Sequence, residues 1–337
     1  LLAAVFAGLK PAVLAIVLVA AWRLGRRTLH SPLLIGLAVA ALAALVVLRV
    51  PYPLVVLGAA LVGVIASRLR PAWLMPRPRP RAEPAASGTA ASAPAAIHDD
   101  DTPTPPHARF CRRRLAVTLL VWGLALLLPL GALALVGGWS GSLALMARFF
   151  TRVALLSFGG AYAVLPYVAQ GAVAQFGWLS PEQMLDGLAL GETTPGPLIM
   201  VVAFVGFMGG WSSPLLGGPA SWPVALAGGL TAVWFTFLPS FGFILAGAPL
   251  VEASRGDLRL GAPLTAITAA VVGVIASLAV FFAGPAFWPE GVFQPGAALL
   301  AALALLLQLR FGWGVLPLIG AAAAAGLLQL LLTIWLP

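Results

Sequence analysis

The residues best suited to chemistry lie between positions 148 and 200. Arg148 and Arg152 stand four apart in "RFFTRVALLSFGGAYAVLPYVAQ", so a helix places both guanidiniums on one face. One turn further comes "SFGGAY". Ser157 and Tyr162 supply hydroxyls there, and Gly159 and Gly160 let a neighbouring backbone or a ligand approach closely. Next is "GWLSPEQMLDGLALGETTPGPLIM". Ser180, Pro181 and Gln183 read as an N-cap, an N1 proline and a capping-box partner, so a helix starts at Pro181 and runs to about Gly191. It carries Glu182 and Asp186 on what reads as a solvated face, while Glu192 stands beside the break that follows. Pro195 and Pro197 lack amide hydrogens, and each disfavours helix at the residue before it. The helix therefore stops near Glu192 and restarts near Pro197. Backbone groups freed at such a break are tolerated in a bilayer only inside protein or beside a watery cavity. The restarted helix aims its positive end and spare N–H groups at that cavity, which suits an anion. The expected site comprises Arg148, Arg152, Ser157, Gly159, Gly160, Thr193, Thr194, Pro195, Gly196 and Pro197, with Glu192 as a proton-coupling carboxylate. Snorkelling arginines, glycines that serve packing alone and a plain proline kink are the competing readings.

Other chemistries are poorly served. The three histidines, His30, His98 and His107, fall in loops or in a linker, and Cys111 is the single cysteine. No metal cluster can be built from them, and no Gly-Lys-Ser/Thr phosphate loop is present. No enzyme, cofactor or metal is expected, and work would be driven by an ion or substrate gradient.

The elements that position these residues are membrane helices. Hydrophobic residues make up 61% of the 337, charged residues 9%, and the mean hydropathy is +1.03. Soluble domains carry about 25% charge, so the expectation is an all-α polytopic membrane protein, lodged in a bilayer and not on nucleic acid. Apolar stretches fall at about 10–22, 32–48, 52–67, 115–136, 143–170, 188–210, 222–249, 262–283, 296–310 and 312–336. The Pro-, Ala-, Ser- and Arg-rich stretch 68–114 reads as a cytoplasmic, disordered linker. The opening "LLAAVFAGLKPAV" has no Met and no charged n-region, and reads as the interior of a longer protein.

A weak internal repeat pairs "GLKPAVLAIVLVAA" with "GAPLTAITAAVVGVIAS", and the hairpin-like stretch around Arg49 and "VPYP" with that around Arg310 and "FGWG". With the linker inside, most of the 19 basic residues fall inside, as the positive-inside rule requires. Lys10, Arg49, Arg148 and Arg152 fall outside. In this threading 137–142 is outside, 171–187 inside, 211–221 outside and 251–261 inside. The two copies then run in opposite senses, with 115–136 as the inverting helix, 1–67 as the tail of a first repeat and 143–337 as a complete second one. Inverted repeats with discontinuous helices are a transporter architecture. An anion channel or membrane scaffold without coupled transport is the alternative.

The stretches "LLSFGGAYAVLPYV", "GWLSPEQMLDGLALGETTPGP" and "FVGFMGG", with "LPSFGFIL" at 238–245, resemble the chromate ion transporter family in its long, two-repeat form, here N-terminally incomplete. The resemblance implies export of chromate across a bacterial inner membrane, driven by the proton motive force. Sulfate is the natural competitor, and a homodimer is compatible with it. The opening motifs of a first repeat are absent from this chain.

Overall fold

The computed structural model describes residues 1–69, 73, 112–157, 160–194, 198–212, 221–253 and 258–335. Among them there is no strand. Twelve α-helices are present: α1 (Leu2–Thr28), α2 (Pro32–Val46), α3 (Tyr52–Leu69), α4 (Arg112–Gly137), α5 (Ser142–Leu155), α6 (Ala161–Ala169), α7 (Pro181–Thr193), α8 (Val201–Ser212), α9 (Trp222–Ala253), α10 (Leu258–Phe287), α11 (Pro295–Arg310) and α12 (Val315–Trp335). Six of them, α1, α3, α4, α9, α10 and α12, are long and apolar enough to cross a bilayer. The protein is an all-α polytopic membrane protein. Most expected stretches become helices with shifted ends. The linker expected at 68–114 lies mainly outside the described residues, and α3 and α4 run two and three residues into its stated bounds.

The core is built around α1 and α10. Val13 and Val17 on α1, and Val271 and Val274 on α10, are fully buried. Each central helix is flanked by the helix pair that follows the other one: α1 packs on α11 and α12, and α10 packs on α2 and α3. Small residues permit the close crossings. A Cβ on Gly326 of α12 would fall on the Ala4 carbonyl and the Gly8 backbone of α1. A Cβ on Gly63 of α3 would meet Ala262 and Ala266 of α10.

The two pairs turn by the same device. After α2, the Val50 N–H reaches the Ala44 carbonyl at 2.9 Å, with Arg49 at φ 52. After α11, the Trp313 N–H reaches the Leu307 carbonyl at 3.2 Å, with Gly312 at φ 68. Both ends close with an N–H bonded to the carbonyl six residues before it, and a left-handed residue stands just before the donor. This geometry aligns Arg49 with Gly312, and so corrects the expected pairing of Arg49 with Arg310.

Residues 143–170 do not form one span. Helix α5 has 14 residues, α6 has 9 and continues as a π-helical turn, Gln170–Gln175. Phe149 of α5 packs on Tyr167, Phe176 and Trp178, and a Cβ on Gly171 would overlap its ring. The chain therefore turns back on itself near residues 157–160. Helices α7 and α8 repeat the move, since a Cβ on Gly187 would overlap the Phe204 ring. They turn between Thr194 and Leu198. Ser212, at the end of α8, donates to the Trp178 carbonyl at 2.6 Å. The stretches 137–142, 176–180 and 209–212 thus share one end of the bundle. The expected placement of 171–187 opposite 137–142 is corrected by this pairing. Helix α4 leans on α9 through two indoles: Trp122 donates to the Leu238 carbonyl at 3.0 Å, and Trp234 to the Ala125 carbonyl at 3.2 Å.

Candidate functional site

The two hairpin tips meet. Gly160 caps α6 with φ 108 and ψ 174, a conformation essentially reserved for glycine. That residue lets the chain reverse and start α6 at once. Tyr162, in the first turn of α6, then donates to Glu192 Oε1 at 2.5 Å, as short as charge-assisted O–H···O⁻ bonds are. Glu192 is placed by α7, whose start is set as the sequence indicates. The Ser180 hydroxyl accepts from the Gln183 N–H at 3.2 Å, and the Gln183 side chain accepts from the Ser180 N–H at 2.9 Å. At this mouth the bond from Ser180 and the helix-start backbone hold the Glu182 carboxyl below its ordinary range.

The remaining expected residues divide into groups. Ser157 is exposed at the first tip, its N–H bonded to the Ala154 carbonyl at 3.2 Å. Thr193 and Thr194 both donate to the Leu190 carbonyl at 2.8 Å, so their protons close the end of α7. Gly159, Pro195, Gly196 and Pro197 lie outside the described residues. Arg148 donates to the Trp139 carbonyl at 2.8 Å and sits 5.8 Å over the Trp139 ring. It anchors the α4–α5 turn at the bundle end and does not join the tip cluster. Arg152 is one turn deeper and accessible, close enough for its charge to be felt at the Tyr167 hydroxyl. Among the described residues no carboxylate pairs with it.

Two charges enter that sequence reasoning had assigned elsewhere. Arg23 of α1, one of the basic residues threaded inside, lies near enough to act electrostatically on Tyr162. Lys10 of α1 pairs with Asp186 of α7 at 3.1 Å, with side chains 23% and 29% exposed. Asp186 is therefore not on a solvated face. Neither contact has a local signature, because α1 lies more than 130 residues upstream of both partners.

These pieces bring together a Tyr162–Glu192 hydrogen bond, the charge of Arg23 and two short helical hairpins. No group of three or more His, Cys, Asp or Glu suited to a metal is present among the described residues. The family model described as chromate transporter matches residues 144–327, from the start of the first hairpin into α12. That is more than half of the chain. The chain belongs to the chromate transporter family. The chromate transport protein of Pseudomonas aeruginosa is 36% identical over 176 residues, 52% of this chain and 39% of that protein. The chromate transport protein of Cupriavidus metallidurans is 28% identical over 176 residues, with the same shares. The probable chromate transport protein of Synechococcus elongatus is 29% identical over 135 residues, 40% of this chain and 31% of its own length. The matched part thus spans about two fifths of these relatives or less. No solved structure matches. Within the chromate transporter unit of this chain fall both hairpins and the helices α9, α10 and α11, whereas α1, α2, α3 and α4 precede it.

Proposed function

We propose that this chain carries chromate across the bacterial inner membrane as a secondary active exporter, with sulfate as the competing tetrahedral dianion and the proton motive force as the drive. One observation carries the reading: in a chain of this family, two broken-tip hairpins close on each other through Tyr162 and Glu192 at 2.5 Å. A tip contact of this kind can open and close without unfolding a full span, which is what alternating access needs. Protonation of Glu192 removes the acceptor charge from the contact, so proton binding and tip opening are the same event. The anion rests beside the tips, with Arg152 and Arg23 as the cations that draw it there. The exchange of partners between α1 and α10, with matching turns after α2 and α11, supports two inverted repeats around this site.

The test uses purified protein in liposomes with an imposed pH gradient and radiolabelled chromate. Wild type should accumulate chromate in proportion to the gradient. Arg152→Ala should abolish uptake, and Glu192→Gln should leave flux that no longer follows the gradient. Flux that still follows the gradient at the full wild-type rate in both variants would remove these residues from the mechanism, and gradient-independent flux in the wild type would favour a channel.

A further inference from the structure

Three irregular backbone features converge on a cavity that the hairpin tips do not use. Its volume is about 460 Å³, and it lies between the α2–α3 turn, α6 and α10. Arg49, Tyr52, Gln170 and Ser277 give it polar character, and Leu278 and Phe281 are part of its apolar wall. No carboxylate lines it.

The first irregularity is Arg49 itself. Among the described residues it is the one non-glycine with positive φ, at 52. The equivalent position after α11 is Gly312, which adopts φ 68 without steric conflict. Both stand just before the donor of the same six-residue closing bond, a left-handed position where glycine is the usual choice. An arginine adds nothing to that turn except its side chain, and the side chain lines the cavity. The second and third are Pro166 inside α6 and the switch to a π-helical turn at Gln170. π-Turns occur frequently at functional sites. This one sets Gln170 and Ala174 along the cavity wall.

The donor inventory narrows what the cavity can hold. The Tyr52 hydroxyl donates to the Leu156 carbonyl at 3.2 Å, and Ser277 donates to the Val274 carbonyl at 2.7 Å. Their protons are committed. Arg49 and Gln170 make no hydrogen bond or ion pair among the described residues, so their N–H groups are the free donors. A guanidinium and a carboxamide with no facing carboxylate suit an anion with several oxygens. Tyr52 also stacks on Tyr167 at 5.4 Å, and Arg152 does not line this cavity. From Tyr162 to Gln170 the path along α6 is about 12 Å.

We propose that this cavity is a second oxyanion site, in which Arg49 and Gln170 hold a tetrahedral dianion of the chromate and sulfate class on its way to or from the hairpin tips. The proposal rests on the oxyanion reading above. The test measures occupancy without transport. Cys111→Ser removes the single native thiol, and Ala174→Cys places one on the cavity wall. Sulfate is the probe, because chromate oxidises thiols. An anionic methanethiosulfonate should modify position 174 about tenfold faster than a cationic one, as Coulomb attraction near one guanidinium implies. Millimolar sulfate should slow that reaction. Arg49→Gly keeps the turn in its preferred residue type, so it should fold at least as well as wild type while losing both the charge preference and the sulfate protection. Equal rates for the two reagents, or protection by anionic lipid in nanodiscs but not by sulfate, would overturn the proposal. Chromate flux measured on the same samples separates the two readings. Flux without protection defeats this site alone, and protection without flux defeats the transport reading while leaving the site in place.

Discussion

The ion pair between Lys10 and Asp186 is the sharpest test of how the second hairpin is held. It joins α1, at the centre of the bundle, to α7, the arm that carries Glu192. The Nζ–Oδ1 distance is 3.1 Å, with side chains 23% and 29% exposed. Fully exposed pairs are worth about 0–1 kcal/mol, and removing one partner of a buried pair costs about 3–5 kcal/mol. With roughly a quarter of each side chain accessible, Lys10→Met or Asp186→Asn should cost about 1–3 kcal/mol. Most of that cost is the stranded charge on the remaining partner, so the double variant should recover most of it. The coupling in a double-mutant cycle should then exceed the cost of either single variant, about 1–3 kcal/mol. Thermal unfolding of the purified protein in detergent, at low and high salt, supplies the four stabilities. High salt should change the coupling little, because partly buried pairs are weakly screened. Two neutral single variants, or a double variant no better than the sum of the singles, would refute the pairing. A coupling that vanishes in high salt would place the pair on an open surface instead.

Three other expectations follow from named positions. Gly160→Ala should lose about 2 kcal/mol or more in the same unfolding assay, since φ 108 with ψ 174 is glycine territory. Gly326→Val should prevent α12 from seating on α1, because the new side chain meets the backbone of Ala4 and Gly8, which cannot yield as a side-chain tip can; an aggregated or protease-sensitive product reports this. In the Cys111→Ser background, single cysteines at Ser140, Gln175 and Ser221 should label with an impermeant thiol reagent from one side of the membrane, because the hairpins return to the same end. Labelling of position 175 from the opposite side would restore a single span at 143–170.

The helix starts and stops of this chain are largely local. The Ser180–Gln183 capping box and the N-terminal Pro181 announce α7, and both reciprocal bonds are present. The sequence also marks both breaks, at Gly159–Gly160 and at Pro195–Pro197. What it does not mark is the direction of the chain after a break. A double glycine or a Pro-Gly-Pro interrupts a helix equally well whether the next piece continues or folds back. Length was the only local clue: a straight helix over 143–170 would be about 42 Å long, well beyond the hydrocarbon core of about 30 Å. Two arms of half that length fit within it.

The charges tell the same story at longer range. Glu182 and Asp186 lie one turn apart on a helix that begins with a polar cap, and periodicity alone sees a wet face there. Asp186 is occupied because α1, from the far end of the chain, carries Lys10 to it. Tyr162 and Glu192 are thirty residues apart and belong to different hairpins. Their contact exists because both hairpins enter from one end and are about equally deep. A carboxylate beside a helix break is therefore not yet a site. It becomes one when a second break of the same depth brings it a donor, and the spacing that decides this is set by arm lengths, 14 residues down in α5 and 13 in α7.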